Sequence, residues 1–239
     1  MAKTTALKVG FLGGVGEIGK NMTVIEYGDS MIIVDSGLAF PTEEMPGIDL
    51  VIPSMQYIKD NKNKVKAVIL THGHEDHIGS TPFLLEEINA PVYGSELTLK
   101  LVENKINKRG VNNCDFRAVK PSDTIKAGDF KVEFFYMCHS ISGAFALAIH
   151  TPKGILFHTG DFKVDYTPVD GGQMDFARLG ALGDKGVLLM LGESTNVERE
   201  GHTVSESVVG DTIEKIFAKN IGRRIIVATF ASNVHRMQQ

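Results

Sequence analysis

The sequence predicts a sheet-rich α/β protein in which strands come first and then alternate with helices. Apolar runs rich in β-branched residues extend from Leu7 to Leu12, from Met22 to Tyr27 and from Met31 to Val34. After a further run of this kind, Val65 to Leu70, the apolar residues take the spacing of amphipathic helices. This order favours β-sheets packed inside helical layers, because each sheet face and each helix stripe must find an apolar partner.

The first half of the chain contains a hairpin and then two helices. Gly28-Asp29-Ser30 separates the second and third apolar runs, and so short a turn places two strands side by side. Helical spacing follows over Thr81 to Glu87 and over Glu96 to Gly110. A short strand is predicted between these helices, from Pro91 to Tyr93.

Three further strands are predicted in the middle of the chain. They run from Phe130 to Met137, from Phe145 to His150 and from Ile155 to His158. Gly143 and the turn Pro152-Lys153-Gly154 separate them.

The pattern changes after Ser205. Glu206 to Lys219 has helical apolar spacing, and a strand is predicted from Arg224 to Phe230, followed by one helical turn. These elements begin an α/β unit without completing it. We therefore expect one domain over residues 1–205, the truncated start of a second over 206–239, and a chain that is an N-terminal fragment.

Composition excludes several classes of protein. The 239 residues are 43% hydrophobic and carry 25 Lys and Arg against 29 Asp and Glu, which argues against disorder and against unspecific binding of nucleic acid. Cys114 and Cys138 have no CxxC spacing, which argues against a disulfide framework or a thiolate metal site. Apolar runs reach neither a membrane span nor a signal peptide, so we expect a cytoplasmic protein without a membrane partner.

Charge is unevenly distributed along the chain. Residues 100–131 contain eight Lys and Arg against four acidic residues. This stretch is either a solvated helix and loop surface or a contact surface for an anionic ligand such as a nucleic-acid backbone.

A glycine motif near the N-terminus resembles a dinucleotide-binding fingerprint. Gly14, Gly16 and Gly19 follow a strand with G-x-G-x-x-G spacing, and Asp35 stands where a ribose-binding acid is expected. The fingerprint requires a helix to begin within the glycines, whereas Met22 to Tyr27 is a strand-forming run. We therefore predict a glycine loop that binds no dinucleotide.

The most informative segment follows the strand that ends at Leu70. Within six residues it holds His72, His74, Asp76 and His77. A loop that leaves a buried strand points successive side chains in different directions, so the first two histidines can bind one cation while Asp76 and His77 turn toward a second. Imidazole and carboxylate ligands suit zinc, and manganese as an alternative.

Two distant residues at strand ends are candidates to complete a binuclear site. His139 follows one predicted strand and Asp161 closely follows another. A carboxylate can bridge two cations, which favours Asp161 as the shared ligand. The remaining candidates His150, His158 and His202 lack metal-type spacing, and we interpret them as structural.

These residues resemble the signature of the metallo-β-lactamase superfamily. Four further stretches are similar to the ribonuclease J family of β-CASP nucleases, and the resemblance covers essentially the whole chain. The stretches are Gly13 to Asn21, Phe40-Pro41, Gly47 to Pro53 and Thr229 to Arg236.

The resemblance implies an αββα metallo-β-lactamase sandwich, with the start of a β-CASP domain at the C-terminal end. It implies a first cation on three histidines, a second on Asp76 and His77, and Asp161 between them. The histidines of the first cation would be His72, His74 and His139.

Further roles follow from the same resemblance. Asp35 would orient the ligand loop, and Asp76 and Glu193 would be catalytic, although the ribonuclease J relatives often carry Asp at the latter position. Gly47 and Asp49 match a structural calcium site. The residues expected to contact substrate phosphate are Ala231, Ser232 and Asn233.

The implied function is metal-dependent hydrolysis of RNA, both 5′ to 3′ exonucleolytic and endonucleolytic, in rRNA processing and mRNA decay. Two zinc ions would be the cofactors, and the partner would be single-stranded RNA with a 5′-monophosphate. The full-length parent would be a homodimer or homotetramer. The fragment itself would be poorly active, because the resemblance implies further ligands beyond Gln239.

Three alternatives stay open on the sequence alone. A small-molecule metallo-hydrolase of the same superfamily, acting on a thioester, lactone or β-lactam, would share every ligand. A flavodiiron oxidoreductase would favour an acidic residue at the position of His74, so the sequence disfavours it. A noncatalytic scaffold would not need an intact ligand set, although for the fragment it remains an alternative.

Overall fold

Two β-sheets lie face to face between helical layers in the computed structural model, which describes residues 5–169, 172–233 and 236–237. The first sheet has six strands, ordered β1-β2-β3-β4-β5-β6. They are β1 (Leu7–Gly13), β2 (Met22–Tyr27), β3 (Ser30–Val34), β4 (Val65–Ile69), β5 (Val92–Gly94) and β6 (Phe116–Ala118). The first three strands are antiparallel, and β3 to β6 run parallel.

The second sheet has five strands, ordered β11-β10-β9-β8-β7. They are β7 (Thr124–Ala127), β8 (Phe130–Met137), β9 (Ala144–Thr151), β10 (Gly154–His158) and β11 (Leu189–Leu191). The helices are α1 (Gln56–Asp60), α2 (Glu75–Ile78), α3 (Thr81–Glu87), α4 (Glu96–Arg109), α5 (Phe176–Asp184) and α6 (Glu206–Lys219).

The alternation of side chains along the strands explains how each sheet packs against the other sheet on one face and against helices on the other. In β3, Ile32 faces the second sheet, whereas Ile33 faces the helices. In β8, Phe134 faces the first sheet, and Phe135 packs outward in the cluster that includes Leu182 of α5. Because successive side chains point to opposite faces, strands buried on both faces read as continuous apolar runs.

Helices α1, α3 and α4 cover the outer face of the first sheet. Ile58, Leu84 and Val102 bring one apolar side chain from each helix into that cluster. Ser95 caps α4 by accepting a hydrogen bond from the Thr98 N–H, and Gly110 ends the helix in the left-handed conformation. The helical and extended layers follow the α/β pattern that the sequence predicts.

Parallel pairing gathers several strand ends at one edge of the sandwich. The carboxyl ends of β3 and β4 lie side by side, with Val34 opposite Ile69. Across the sandwich, the Phe145 N–H donates to the Thr71 carbonyl at 2.9 Å, which joins the start of β9 to the end of β4. Residues that follow these strands therefore meet in one place.

Most predicted elements are confirmed, with ends shifted by at most one or two residues. The strand predicted from Arg224 to Phe230 is wrong, because no strand is assigned there among the described residues. A strand needs a hydrogen-bonded neighbour, and the exposed fractions of Ile226 and Phe230, 86% and 85%, show that these side chains pack against little. Of the predicted final helical turn, Arg236 and Met237 are helical, and residues 234, 235, 238 and 239 lie outside the described residues.

No helix in the described part of the chain is both long enough and apolar enough to cross a membrane.

A buried carboxylate on the outer face ties the hairpin to the helical layer. Glu26 of β2 accepts hydrogen bonds from the Tyr57 hydroxyl at 2.6 Å, from Lys64 Nζ at 2.9 Å and from Lys8 Nζ at 3.2 Å. Burial opposes its ionisation, but these three donors outweigh burial and lower the pKa of Glu26 from 4.5 to about 2. The ionised carboxylate therefore stabilises the folded state.

We expect Glu26→Gln to lower the free energy of unfolding by about 1–3 kcal/mol at neutral pH, because charged hydrogen bonds are lost. The folded pKa lies below the unfolded one, so this stabilisation is present above the unfolded value of 4.5 and is lost as pH falls toward about 2. Urea unfolding at about pH 7 and about pH 3 measures both effects.

The exposed Glu44→Gln variant is the matched control and should behave as wild type. An equal loss of stability on acidification in wild type and in Glu26→Gln would contradict the account of this carboxylate.

Candidate metal centre

Asp35 joins the ends of β3 and β4. Its backbone takes a left-handed conformation (φ +61°), and its carboxylate is buried. The carboxylate accepts from the Thr71 N–H at 2.7 Å, from the Thr71 hydroxyl at 2.9 Å and from His77 Nδ1 at 2.8 Å. A positive φ on a residue with a side chain is strained, and here several hydrogen bonds hold it.

This network assigns the proton on the next histidine. The Thr71 hydroxyl donates its proton to Asp35, so its oxygen accepts from His72 Nδ1–H at 3.0 Å. His72 Nε2 is then left with a free lone pair. The sequence alone does not show which nitrogen of His72 carries the proton or where the other nitrogen points.

Three imidazole nitrogens converge in front of the buried His72. His74 Nδ1 lies 3.0 Å from His72 Nε2 and 3.1 Å from His139 Nε2. His74 is the residue before α2, a helical turn in a segment that the sequence predicts as loop, and His139 follows β8. Ligand nitrogens around a tetrahedral zinc ion lie about 3.3 Å apart, so this spacing fits a shared cation.

A second group of donors adjoins the first. His77 Nε2 lies 3.4 Å from Asp76 Oδ2 and 3.4 Å from Asp161 Oδ1, while Asp161 Oδ2 lies 3.8 Å from His139 Nε2. The two oxygens of Asp161 thus face the two groups of histidines. His72, His77 and Asp161 also place ligand atoms within 4.8 Å of one another.

Protonation in the first group suits metal binding. Burial lowers the pKa of His72 well below its ordinary value, and the neighbouring histidines lower it further. Burial also lowers the pKa of His139 to about 4, in spite of Asp161, and lowers that of His74. Imidazoles that are neutral at physiological pH offer lone pairs to a cation.

The second group differs in charge. Burial opposes a charge on His77, but Asp35, Asp161 and Asp76 together raise its pKa well above the ordinary value. Burial would raise the pKa of Asp76 and of Asp161, yet hydrogen bonding to His77 keeps both below their ordinary values. The carboxylates are therefore ionised at neutral pH.

The turn that carries Asp161 is held from several sides. The Gly160 N–H donates to His158 Nδ1 at 3.1 Å, and the Thr159 hydroxyl donates to the Gly160 carbonyl at 2.7 Å. The Lys163 N–H donates to the Cys138 carbonyl at 2.7 Å, which links this turn to the residue before His139. His158 is thus structural, as its sequence context indicates.

The second donor group borders a cleft of about 490 Å³ through His77 and Asp161, whereas His139 borders the neighbouring cleft. Asp76, His77 and Asp161 lie on one side, and the glycine loop from Gly13 to Gly19 lies on another. The segment from Leu191 to Glu198 completes the lining.

Glu193 lines this cleft but makes a local contact. Its Oε2 accepts from the Thr195 N–H at 2.8 Å, and its own N–H donates to the Thr159 hydroxyl at 3.2 Å. The second bond ties Glu193 to the turn that carries Asp161. A catalytic role for Glu193 stays a prediction.

The predicted phosphate-contact residues lie on a separate turn. Ala231 and Ser232 form it, and Asn233 Oδ1 accepts from the Arg236 N–H at 3.2 Å. The Arg236 guanidinium pairs with Glu206, a residue that lines a second cleft beside His139. Their contact with substrate stays a prediction.

The predicted calcium site lies in an exposed loop. Gly47 has a φ of +81°, and Asp49 is exposed. The calcium site also stays a prediction.

Ion pairs occupy much of the basic stretch 100–131. The pairs are Lys100–Glu103, Lys105–Glu75, Arg109–Glu86, Arg117–Asp115 and Lys131–Glu133. These contacts favour a solvated charged surface over an anion-binding one, because the carboxylates already neutralise much of the positive charge.

The glycine loop lacks the helix of a dinucleotide site, as predicted. Gly14, Gly16 and Gly19 all have positive φ, and the chain continues into strand β2 rather than into a helix. Sequence reasoning missed Asn21 at the end of this loop, whose side chain contacts Asp76 and His77. A polar residue directly before a buried strand was the available signal.

Proteins similar to this chain include members of a family whose name indicates a metal site, in agreement with the cluster of histidines and aspartates described above. Residues 15–133 match the family described as the metallo-beta-lactamase superfamily. A solved structure of a protein of unknown function from Enterococcus faecalis has a TM-score of 0.70 at 20% identity, covering 97% of this chain and 62% of that one. At this identity the likeness shows the fold alone.

Curated relatives give a narrower match. Ribonuclease J from Synechocystis sp. is 44% identical, over 99% of this chain and 38% of the relative. Ribonuclease J 1 from Streptococcus pyogenes is 47% identical, over 95% of this chain and 40% of the relative. Ribonuclease J from Helicobacter pylori is 43% identical, over 98% of this chain and 34% of the relative. The chain thus spans about two fifths or less of the length of these relatives.

We expect Asp35→Asn to weaken binding of divalent cations by about 10–100-fold, the usual cost of losing a partner that orients a ligand. Asparagine keeps the shape of the side chain, but its amide cannot accept from Thr71 and His77 as the carboxylate does. Zinc titration against a competing chelator measures the loss.

The matched control is Asp184→Asn, an exposed residue outside both donor groups. Unchanged zinc affinity in Asp35→Asn would show that the buried carboxylate does not orient the ligands.

Proposed function

Because this chain belongs to the metallo-β-lactamase superfamily, and within it to the ribonuclease J family, we propose that it forms the metal centre of a ribonuclease. The first cation would be held by the three histidines His72, His74 and His139. The second would be held by Asp76 and His77, with Asp161 between the two. Zinc fits these ligands best, and manganese is the alternative.

The observation that carries the proposal is the convergence of five ligand side chains. Three come from the segment that follows β4, and His139 and Asp161 follow two strands of the other sheet, so a cation would join both sheets at one end of the sandwich. Their donor atoms form two groups, each within 4.8 Å, that share His72. Lone pairs and carboxylates brought this close repel one another unless a cation or protons lie between them.

Two bound divalent cations would lower the pKa of a shared water and neutralise charge that develops on a phosphate. The residues of the chain have separate tasks. Asp76 is the most exposed of these carboxylates, with 36% of its side chain accessible, and would accept a hydrogen bond from the attacking water. Asp161, at 26%, holds its two oxygens toward the two histidine groups.

The substrate would be RNA, cleaved at phosphodiester bonds in 5′ to 3′ exonucleolytic and endonucleolytic modes. Single-stranded RNA with a 5′-monophosphate would be the preferred substrate, as the resemblance to the ribonuclease J family implies. Glu193 would act near the leaving group, and Ser232 with its neighbours Ala231 and Asn233 would contact phosphate. Gly47 and Asp49 would hold a structural calcium ion.

The domain boundary at residue 205 is part of the same proposal. The Glu206 N–H at the start of α6 donates to Asp165 Oδ2 at 3.0 Å, and Ser205 Oγ lies 2.8 Å from Thr167 Oγ1. These contacts would attach the beginning of a β-CASP domain to the side of the cleft that carries Asp161. The longer protein would act in the cytoplasm as a homodimer or homotetramer.

The test is cleavage of labelled single-stranded RNA by the longer protein, as wild type and as His74→Ala, because residues 1–239 alone are expected to be poorly active. We expect His74→Ala to lower kcat/KM by at least about 10³-fold, because a metal-activated nucleophile and electrostatic stabilisation are lost together. Thioester and lactone substrates are assayed in parallel.

His202→Ala provides the matched control, since His202 belongs to neither donor group. RNA cleavage that survives His74→Ala, or turnover of an acyl substrate without RNA cleavage, would contradict the proposed function.

A further inference from the structure

The glycine loop delivers one side chain to the metal centre. Asn21, the last residue before β2, donates its backbone N–H to the Asp76 carbonyl at 3.0 Å. Its own carbonyl accepts from the Gly37 N–H at 2.9 Å. The loop is thus joined to the turn of α2 and to the segment after Asp35.

The glycines leave room for this arrangement. A Cβ on Gly14 would overlap Asn21 Oδ1, and a Cβ on Gly13 would overlap the Lys20 carbonyl. A Cβ on Gly37 would overlap the Asp76 carbonyl. Side chains at these positions would push Asn21 and α2 apart, so the glycine pattern has a physical reason other than phosphate binding.

The Asn21 amide touches two of the proposed ligands. Its Nδ2 donates to the Asp76 carbonyl at 3.0 Å, lies 3.3 Å from Asp76 Oδ2 and lies 3.1 Å from His77 Nε2. Because two of these partners are oxygens without protons, the amide nitrogen rather than its oxygen must face them. His77 Nδ1 donates to Asp35, so Nε2 is the atom turned toward the other ligands.

We propose that Asn21 is a positioning residue for the second cation of the metal centre. It fixes the direction of the Asp76 carboxylate and the backbone that carries it, and the glycine loop serves to hold Asn21 there. The inference rests on the proposed function, since it takes Asp76 and His77 as ligands of that cation.

The physical reason lies in the position of Asp76. It belongs to a helical turn of only four residues, and its side chain is partly exposed, so little packing restricts its rotamers. The Asn21 Nδ2–H contact with the carboxylate restricts those rotamers, and its bond to the carbonyl fixes the backbone that carries them, before a cation binds. Binding then orders fewer groups, which improves affinity.

The experiment compares zinc binding by the full chain as wild type, Asn21→Ala and Asn21→Ser. Native mass spectrometry gives the stoichiometry, and chelator competition gives the affinity of each site. We expect Asn21→Ala to weaken the second zinc ion by at least about tenfold and to leave the first unchanged. Asn21→Ser keeps a small polar side chain, so its affinity for the second zinc ion should lie between those of the wild type and Asn21→Ala.

Asn61→Ala is the matched control, because it removes an exposed asparagine amide whose hydrogen bond, to the Tyr57 carbonyl, lies away from the site. It should change neither zinc ion. The thermal midpoints of the metal-free Asn21 variants should stay close to that of Asn61→Ala, since a positioning role acts on the metal rather than on the fold.

Selective loss of the second zinc ion supports the inference. Two zinc ions bound as in wild type, or loss of both in the Ala and Ser variants alike, would overturn it, as would a wild type that holds fewer than two. RNA cleavage is measured separately, in the longer protein: a wild type of that protein that cleaves no RNA contradicts the proposed function and leaves the Asn21 result intact.

Discussion

The Asp35 carboxylate is the contact on which the metal centre depends. It accepts three hydrogen bonds at the junction of β3 and β4, from the N–H and hydroxyl of Thr71 and from His77. Through Thr71 it sets the tautomer of His72, and directly it sets the ring orientation of His77. Both rings therefore turn their Nε2 atoms toward the other ligand side chains. These hydrogen bonds, rather than the residue's own preference, maintain the strained backbone of Asp35.

Much of the fold could be predicted because it follows from local patterns. The mostly apolar runs of β2, β3 and β9 indicate strands buried on both faces. The Gly28-Asp29 turn determines the first hairpin. The metal ligands could also be predicted from the sequence, because histidines and aspartates at the ends of neighbouring strands lie close together. The convergence of His139 and Asp161 on that motif follows from the same topology.

Other features depend on partners that a linear pattern does not show. Asp175 caps helix α5 by accepting a hydrogen bond from the Arg178 N–H. The apolar side chains of the helix, Leu179 and Leu182, are too few to predict it from the sequence and are buried only by packing on the second sheet. The predicted strand from Arg224 to Phe230 has apolar residues but no neighbour in the described part of the chain. Asn21 looked like part of a loop, because its contacts to Asp76 and His77 span more than fifty residues.

Anomalous diffraction at the zinc edge, from crystals grown with zinc, tests the central claim most directly. The account predicts two peaks about 3.5–4 Å apart at the end of the sandwich. One should lie about 2.0–2.2 Å from His72, His74 and His139 nitrogens, and the other should contact His77 and Asp76, with Asp161 reaching both. A single peak, or zinc held by residues outside this cluster, would contradict the account.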